Sequence, residues 1–252
     1  MSALAVLNAE RIKLSTTRAP LWVAVAVAAL SLAVAALQGS VASGTGPLEP
    51  QRASLGIAVF GVPVLMVLAS MTVTAEYRSG MIRTTFMATP NRTLVLVAKT
   101  IVTACFSAVF AAVMVVASVY LAALLSTPVM AAQLSLSGPD VWRVAGAIAL
   151  YAALAATLGV AIGALLRAGP GAVAVLLLWP LVAEPMLANL PDVGTQIGPY
   201  LPFANIFIVI DVPWLYPVYA MPWDQLGSLA YFAAMVAVAF GAAVAVLNAR
   251  DA

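Results

Sequence analysis

The stretch EYRSGMIRTTFMATPNR, residues 76–92, is one of very few places in this chain where charge is concentrated: one acid and three arginines between two long apolar runs. Of the 252 residues, 64% are hydrophobic and 8% are charged. A soluble globular domain carries about 25% charged residues. Most of this chain is therefore solvated by lipid or by its own spans. The charged stretch is then a connection between two membrane crossings, and the fold class is an all-α membrane protein. A crossing needs about 20 apolar residues, so six of them use about half of the chain.

Working outward, the run before the stretch predicts span two at about 54–75, with a kink at Pro63. The run after it predicts span three at about 93–125. That is too long for one crossing, so it tilts or projects from the membrane at its Lys99 end. Upstream, residues 38–52 are rich in Gly, Ser and Pro and read as a loop. Span one is predicted at about 20–37, with Pro20 in the first helical turn, where its missing N–H is tolerated. Residues 1–18 place Leu4, Leu7, Arg11 and Leu14 at helical spacing, with Glu10 and Lys13 pointing elsewhere. They read either as an amphipathic interfacial helix or as a charged flank that orients span one. No cleavage site suggests a removable signal; the run reads as an uncleaved anchor.

Downstream, Asp140 is expected to cap span four, at about 141–166. Ala155, Gly159 and Gly163 recur every four residues there and allow close helix packing. Arg143 pairs with Asp140 in this reading, and Tyr151 and Trp179 are packing residues. A turn at 167–170 leads to span five, at about 171–190. Residues 191–224 are apolar but hold Pro199, Pro202, Pro213, Pro217 and Pro222, together with Asp211, Trp214, Tyr216, Tyr219 and Trp223. Prolines and a mid-stretch acid oppose a straight crossing, and Trp and Tyr favour the headgroup zone. Two short helices that enter the outer leaflet and return are expected. Span six follows at about 225–247, capped by Asp224.

With the N-terminus inside, Arg11, Lys13, Arg18, Arg78, Arg83, Arg92, Lys99, Arg167 and Arg250 are internal. These are nine of the 11 Lys and Arg residues, and only Arg52 and Arg143 are external. Such a bias places both termini in the cytoplasm.

The composition excludes several functions. The chain has no histidine, which removes His-based acid–base chemistry and His-containing metal sites. Its single cysteine, Cys105, lies inside an apolar run and reads as a small hydrophobe. No basic domain points to nucleic acid. No G-x-x-x-x-G-K-[ST] phosphate loop is present, so the chain does not bind nucleotide by that route. Within 76–92, Ser79 is expected to cap a short helix ending near Thr89. Ile82 and Phe86, with Met81 and Met87 beside them, form a small apolar knob on that helix. A helix this short needs something to pack on: either the headgroups or a cytoplasmic protein. Glu184 lies between Pro180 and Pro185, about 20 Å along span five at about 1.5 Å per residue. It reads as lining a path for cationic amphiphiles, with Pro180 and Asp211, or as an interfacial carboxylate.

Several short motifs carry a family resemblance. They are Glu10-Arg11-x-Lys13-Leu14 before span one, Glu76-Tyr77-Arg78-Ser79-Gly80-Met81-Ile82-Arg83 after span two, and Pro90-x-Arg92. Lys99 early in span three and the proline-broken stretch before span six complete the set. The chain resembles the membrane subunits of ABC-2 transporters, and its length is similar to that of the small multidrug and lantibiotic-immunity permeases. The resemblance implies a plasma-membrane permease that is not itself an enzyme and binds no cofactor. Two copies of a separate ATPase would hold ATP and magnesium, and a second copy or a related permease would complete the assembly, within membrane lipid. It implies that 1–18 is a connector and 19–252 the six-span domain. The segment 76–92 would be the coupling element, with Glu76, Arg78, Met81, Ile82, Arg83 and Phe86 meeting the ATPase. Re-entrant helices at 191–224 would close the outer end. The expected cargo is an amphipathic or drug-like compound that is exported. A secondary transporter usually shows repeated halves, and none is evident. A non-transporting membrane partner that recruits a cytoplasmic protein is the other alternative.

Overall fold

Six helices in the computed structural model are long and apolar enough to cross a membrane: Arg18–Val41, Ile57–Ser79, Arg92–Leu125, Pro139–Leu166, Gly169–Ala188 and Gln225–Ala249. The structure describes residues 2–41, 48–134, 138–212 and 216–249, without the side chain of Gln133; Pro213, Trp214, Arg250 and Asp251 lie outside them. All regular elements among the described residues are helical. Shorter helices precede span one (Ala3–Thr16), follow span two (Met81–Ala88) and precede span six (Val193–Ile197 and Pro202–Val209).

Span four is the centre of the bundle and packs on spans two, three and six. Its small residues explain the position. A Cβ on Gly159 would run into the carbonyl oxygen of Met66, and one on Gly163 would come within 2.8 Å of the Ser70 carbonyl. The backbones of spans two and four therefore touch, as small residues permit in membrane helices. Near the middle of span four, Tyr151 meets Phe207 and Phe232 edge-on, both at 6.1 Å between centroids. Those rings bind span four to the Pro202–Val209 helix and to span six. Only 22%, 28% and 17% of the residues in the apolar stretches of spans one, five and six are buried.

Two spans contain a π-helical turn, at Ile57–Gly61 and Trp179–Ala183. Pro63 and Pro180 lie beside or inside these turns. A proline supplies no N–H to the α-helical ladder, and the wider turn absorbs the break.

Three expectations change. Gly138, not Asp140, is the N-cap of span four, because Pro139 takes the first helical position and moves Asp140 into the first turn. Arg143 approaches Asp211 at 3.8 Å rather than Asp140. Ser79 ends span two, and its hydroxyl donates back to the carbonyls of Ala75 and Glu76, so it caps nothing. The Lys99 side chain, near the N-terminal end of span three, is only 2% exposed because other parts of the protein cover it.

Candidate functional site

Burying Lys99 in an apolar bundle requires partners, and the structure supplies them from two other elements, the N-terminal helix and span two. Its ammonium donates to Glu10 at 2.8 Å, to Glu76 at 2.7 Å and to the Thr72 carbonyl at 3.1 Å. Lys13 closes the group, at 2.7 Å from Glu10 and 2.9 Å from Glu76. Each lysine touches both carboxylates, so two cations and two anions form a neutral square. The square joins the N-terminal helix, span two and span three. Thr85 of the short helix reaches the second oxygen of Glu76 at 3.5 Å. Burial pulls the Lys13 pKa down, but the hydrogen bonds and charges of Glu10 and Glu76 outweigh it and hold it above its ordinary value.

Helix periodicity produces this convergence. Glu10 and Lys13 are three residues apart and share a face of the N-terminal helix. Val6 and Glu10 are the buried positions of that helix, whereas Leu4 is 78% exposed. The face turned to the bundle is thus the one carrying the charged pair. A cavity of about 230 Å³ lies beneath the square, with Leu14, Pro20, Leu68 and Met71 in its walls.

Span two leads directly into the short helix. Gly80 separates them with φ 72° and ψ 0°, a left-handed conformation that glycine adopts without a Cβ penalty. The turn sets how the short helix faces. Ile82 is buried, beside Val73, Tyr77, Val95 and Leu96. Phe86 is half-buried, with the Arg92 guanidinium 5.3 Å above its ring. Ile82 and Phe86 are therefore anchors that seat the helix on its own bundle, and the expected knob does not project. The outward face consists of Arg78, Met81, Arg83, Thr84 and Met87, all exposed. Of the residues read as coupling elements, Glu76 joins the square, Ile82 and Phe86 point inward, and Arg78, Met81 and Arg83 point out.

Glu184, Pro180 and Asp211 do not meet in one site. Glu184 is fully buried and accepts N–H bonds from Ala204 and from the Trp179 indole, both at 2.9 Å. It caps the Pro202–Val209 helix from span five, with its carboxyl oxygen at the first turn of that helix, where the N–H groups lack intrahelical partners. Its side chain does not reach the surface. Pro180 is buried, and its carbonyl accepts the Tyr216 hydroxyl at 3.5 Å. Asp211 is exposed, has φ 60°, and accepts from Gln51 at 2.9 Å. Asn205 adds to the cap region: its amide donates to the Pro199 and Leu201 carbonyls, and its oxygen accepts from Trp223 at 2.8 Å.

Glu10, Lys13 and Lys99 were visible in the sequence as parts of short motifs, but not as one cluster. The available signal was the lysine seven residues inside an apolar span. A buried ammonium there needs acids, and Glu76 lies across the hairpin. Asn205, buried in a short apolar helix, gave no comparable signal.

A family model described as ABC-2 family transporter protein matches residues 6–178. That range takes in the N-terminal helix, the square, the short helix and spans one to four. No curated protein matches the sequence.

Proposed function

We propose, for a chain that belongs to the ABC-2 family of transporter proteins, that it is the membrane permease of an ATP-driven exporter and receives its energy through the helix Met81–Ala88. One observation carries the proposal: a short helix stands at a sharp glycine turn, anchored inward by Ile82 and Phe86, with a basic and methionine-rich face left outward. The square behind it connects that helix to three other elements.

A separate ATPase subunit meets Arg78, Met81, Arg83 and Met87. Methionine adapts to partner surfaces, and arginine supplies directed hydrogen bonds. ATP and magnesium belong to that subunit, and this chain performs no hydrolysis. Two permeases work with two ATPase copies in the plasma membrane, with both termini cytoplasmic. The exposed faces of spans one, five and six meet lipid or the second permease. Nucleotide biases the membrane part only through contacts that differ between states. Movement of the short helix reaches spans two and three through Ile82 and through Glu76, and it reaches the N-terminal helix through Glu10 and Lys13. The cargo is an amphipathic or drug-like compound. The helices between Asp192 and Val209 dip into the outer leaflet, and Glu184 and Pro180 belong to the closure of that end.

The test is co-purification of the tagged chain from its native host. The wild-type chain is expected to bring down an ATPase with a phosphate loop. Arg83→Glu combined with Met87→Asp is expected to lose at least tenfold of that capture, with an unchanged unfolding temperature, because both side chains are exposed. No captured ATPase, or full capture by the double variant, would sink the reading.

A further inference from the structure

The N-terminal helix is held by span three and leans away from span one. Helix periodicity puts Glu10 and Lys13 in the square and turns Leu4, Leu7 and Arg11 to the next face. That face, together with Leu21 and Ala24 of span one and Ile101, Cys105 and Phe106 of span three, walls a groove of about 730 Å³. The volume falls within the roughly 300–1,000 Å³ typical of sites for small ligands. Leu14 separates the groove from the cavity under the square and borders both.

The groove's lining carries a single charged residue, with Asn8, Ser15 and Thr17 as its other polar members. Arg11 is exposed, borders it, and forms no ion pair among the described residues. Lys13 and Lys99, behind the groove, are each bound to two carboxylates, and Arg18 does not line it. Below Arg11 the walls are apolar and run along two membrane spans. A cation at the mouth of a long apolar groove fits an anionic head with a hydrocarbon tail, and basic pockets beside spans hold such lipids.

We propose that this groove holds one anionic glycerophospholipid, with its phosphate on Arg11 and an acyl chain along Leu21, Ala24, Ile101, Cys105 and Phe106. The lipid wedges the N-terminal helix against span three and so supports the geometry of Glu10 and Lys13 in the square. Annular lipid exchanges freely around a protein; this one is selected by its headgroup charge and enclosed by three helices.

Cys105 is the single cysteine, is exposed, and stands on the groove wall, which makes it a native reporter. The full chain is purified in nonionic detergent and given phosphatidylglycerol, phosphatidylcholine or inorganic phosphate. Native mass spectrometry counts bound lipid, and N-ethylmaleimide measures access to Cys105. Expected are one phosphatidylglycerol per chain and at least fivefold slower labelling with that lipid alone. Arg11→Gln weakens retention roughly fivefold, the factor typical of one basic residue at an anionic surface. Ala24→Trp fills the groove and abolishes retention. Arg18→Gln, on the same end of the bundle but outside the groove, leaves it unchanged. Equal retention of both lipids, protection by phosphate alone, or equal loss in Arg18→Gln overturns the proposal. So does protection that rises with protein concentration without lipid, which would identify a second copy of the chain. No ATPase enters these measurements, so their failure leaves the coupling reading standing.

Discussion

Glu76 and Glu184 are both acids at the ends of apolar spans, and both are buried, yet their surroundings solve the problem of charge differently. Glu76 is met by two ammonium groups, from residues 63 and 23 positions away in the chain. Glu184 is met by a backbone N–H and an indole N–H, the farther of them 20 positions away. The first solution joins separate elements through charge. The second fixes one short helix on the end of one span through dipoles. A square of charges depends on every corner, because removing one leaves a buried ion uncompensated. A cap is local, and its loss disturbs the helix it holds.

The largest effect that sharpens this comparison is expected from Lys99→Met. It should cost about 3–5 kcal/mol, the range for breaking a buried ion pair from one side. Denaturant unfolding in detergent measures it. Adding Glu76→Gln should recover part of the loss, since fewer unpaired charges remain. Strict additivity of the two changes would show that the square is not one unit.

Glu184→Leu orphans two donors at about 1–3 kcal/mol each, a comparable cost confined to one end of the bundle. Hydrogen exchange should rise in Pro202–Val209 and remain unchanged around Lys99. A rise spread evenly over the bundle would erase the contrast between the two ends.

Gly80→Ala isolates the turn. Nothing lies within 4 Å of the added Cβ, so the effect is conformational, about 1–2 kcal/mol for a left-handed residue. Faster exchange confined to Met81–Ala88 is the expected result.

The smallest effect is pH-dependent. The Lys13 pKa is raised above 10.5 by its acids, against burial. Its contribution is complete below the unfolded value of 10.5 and is lost as pH rises through the higher folded value. A spin label at Leu4→Cys in a Cys105→Ser background should gain mobility only in that alkaline range. Mobility gained near neutral pH would assign the docking of the helix to something other than Lys13.

Much of the fold was legible in the residues because lipid imposes a simple rule. Long apolar runs must become helices that satisfy their own backbone, and each of the six expected spans has a helix at its place, its ends shifted by a few residues. The candidate site was legible only in pieces. Glu10, Lys13, Glu76 and Lys99 stood out as charges at span ends, but a pattern along the chain does not say which charges meet. The inward turn of Ile82 and Phe86 was hidden for the same reason: their spacing marks one apolar face of the short helix, and the angle at Gly80 decides where that face points. Glu184 was singled out by depth. Its partners could not be read, because a backbone N–H carries no residue-type signal.

Hydropathy and the spacing of charge, by themselves, determined a six-helix membrane chain with a polar hairpin after its second crossing. The physical reason is solvent: a bilayer selects apolar length residue by residue. Tertiary structure alone decided that four charges from three elements cancel, that Ile82 anchors rather than projects, and that Glu184 caps a helix. Those outcomes depend on distances between segments tens of residues apart, and such distances arise only when small residues such as Gly159 let the helices close on one another.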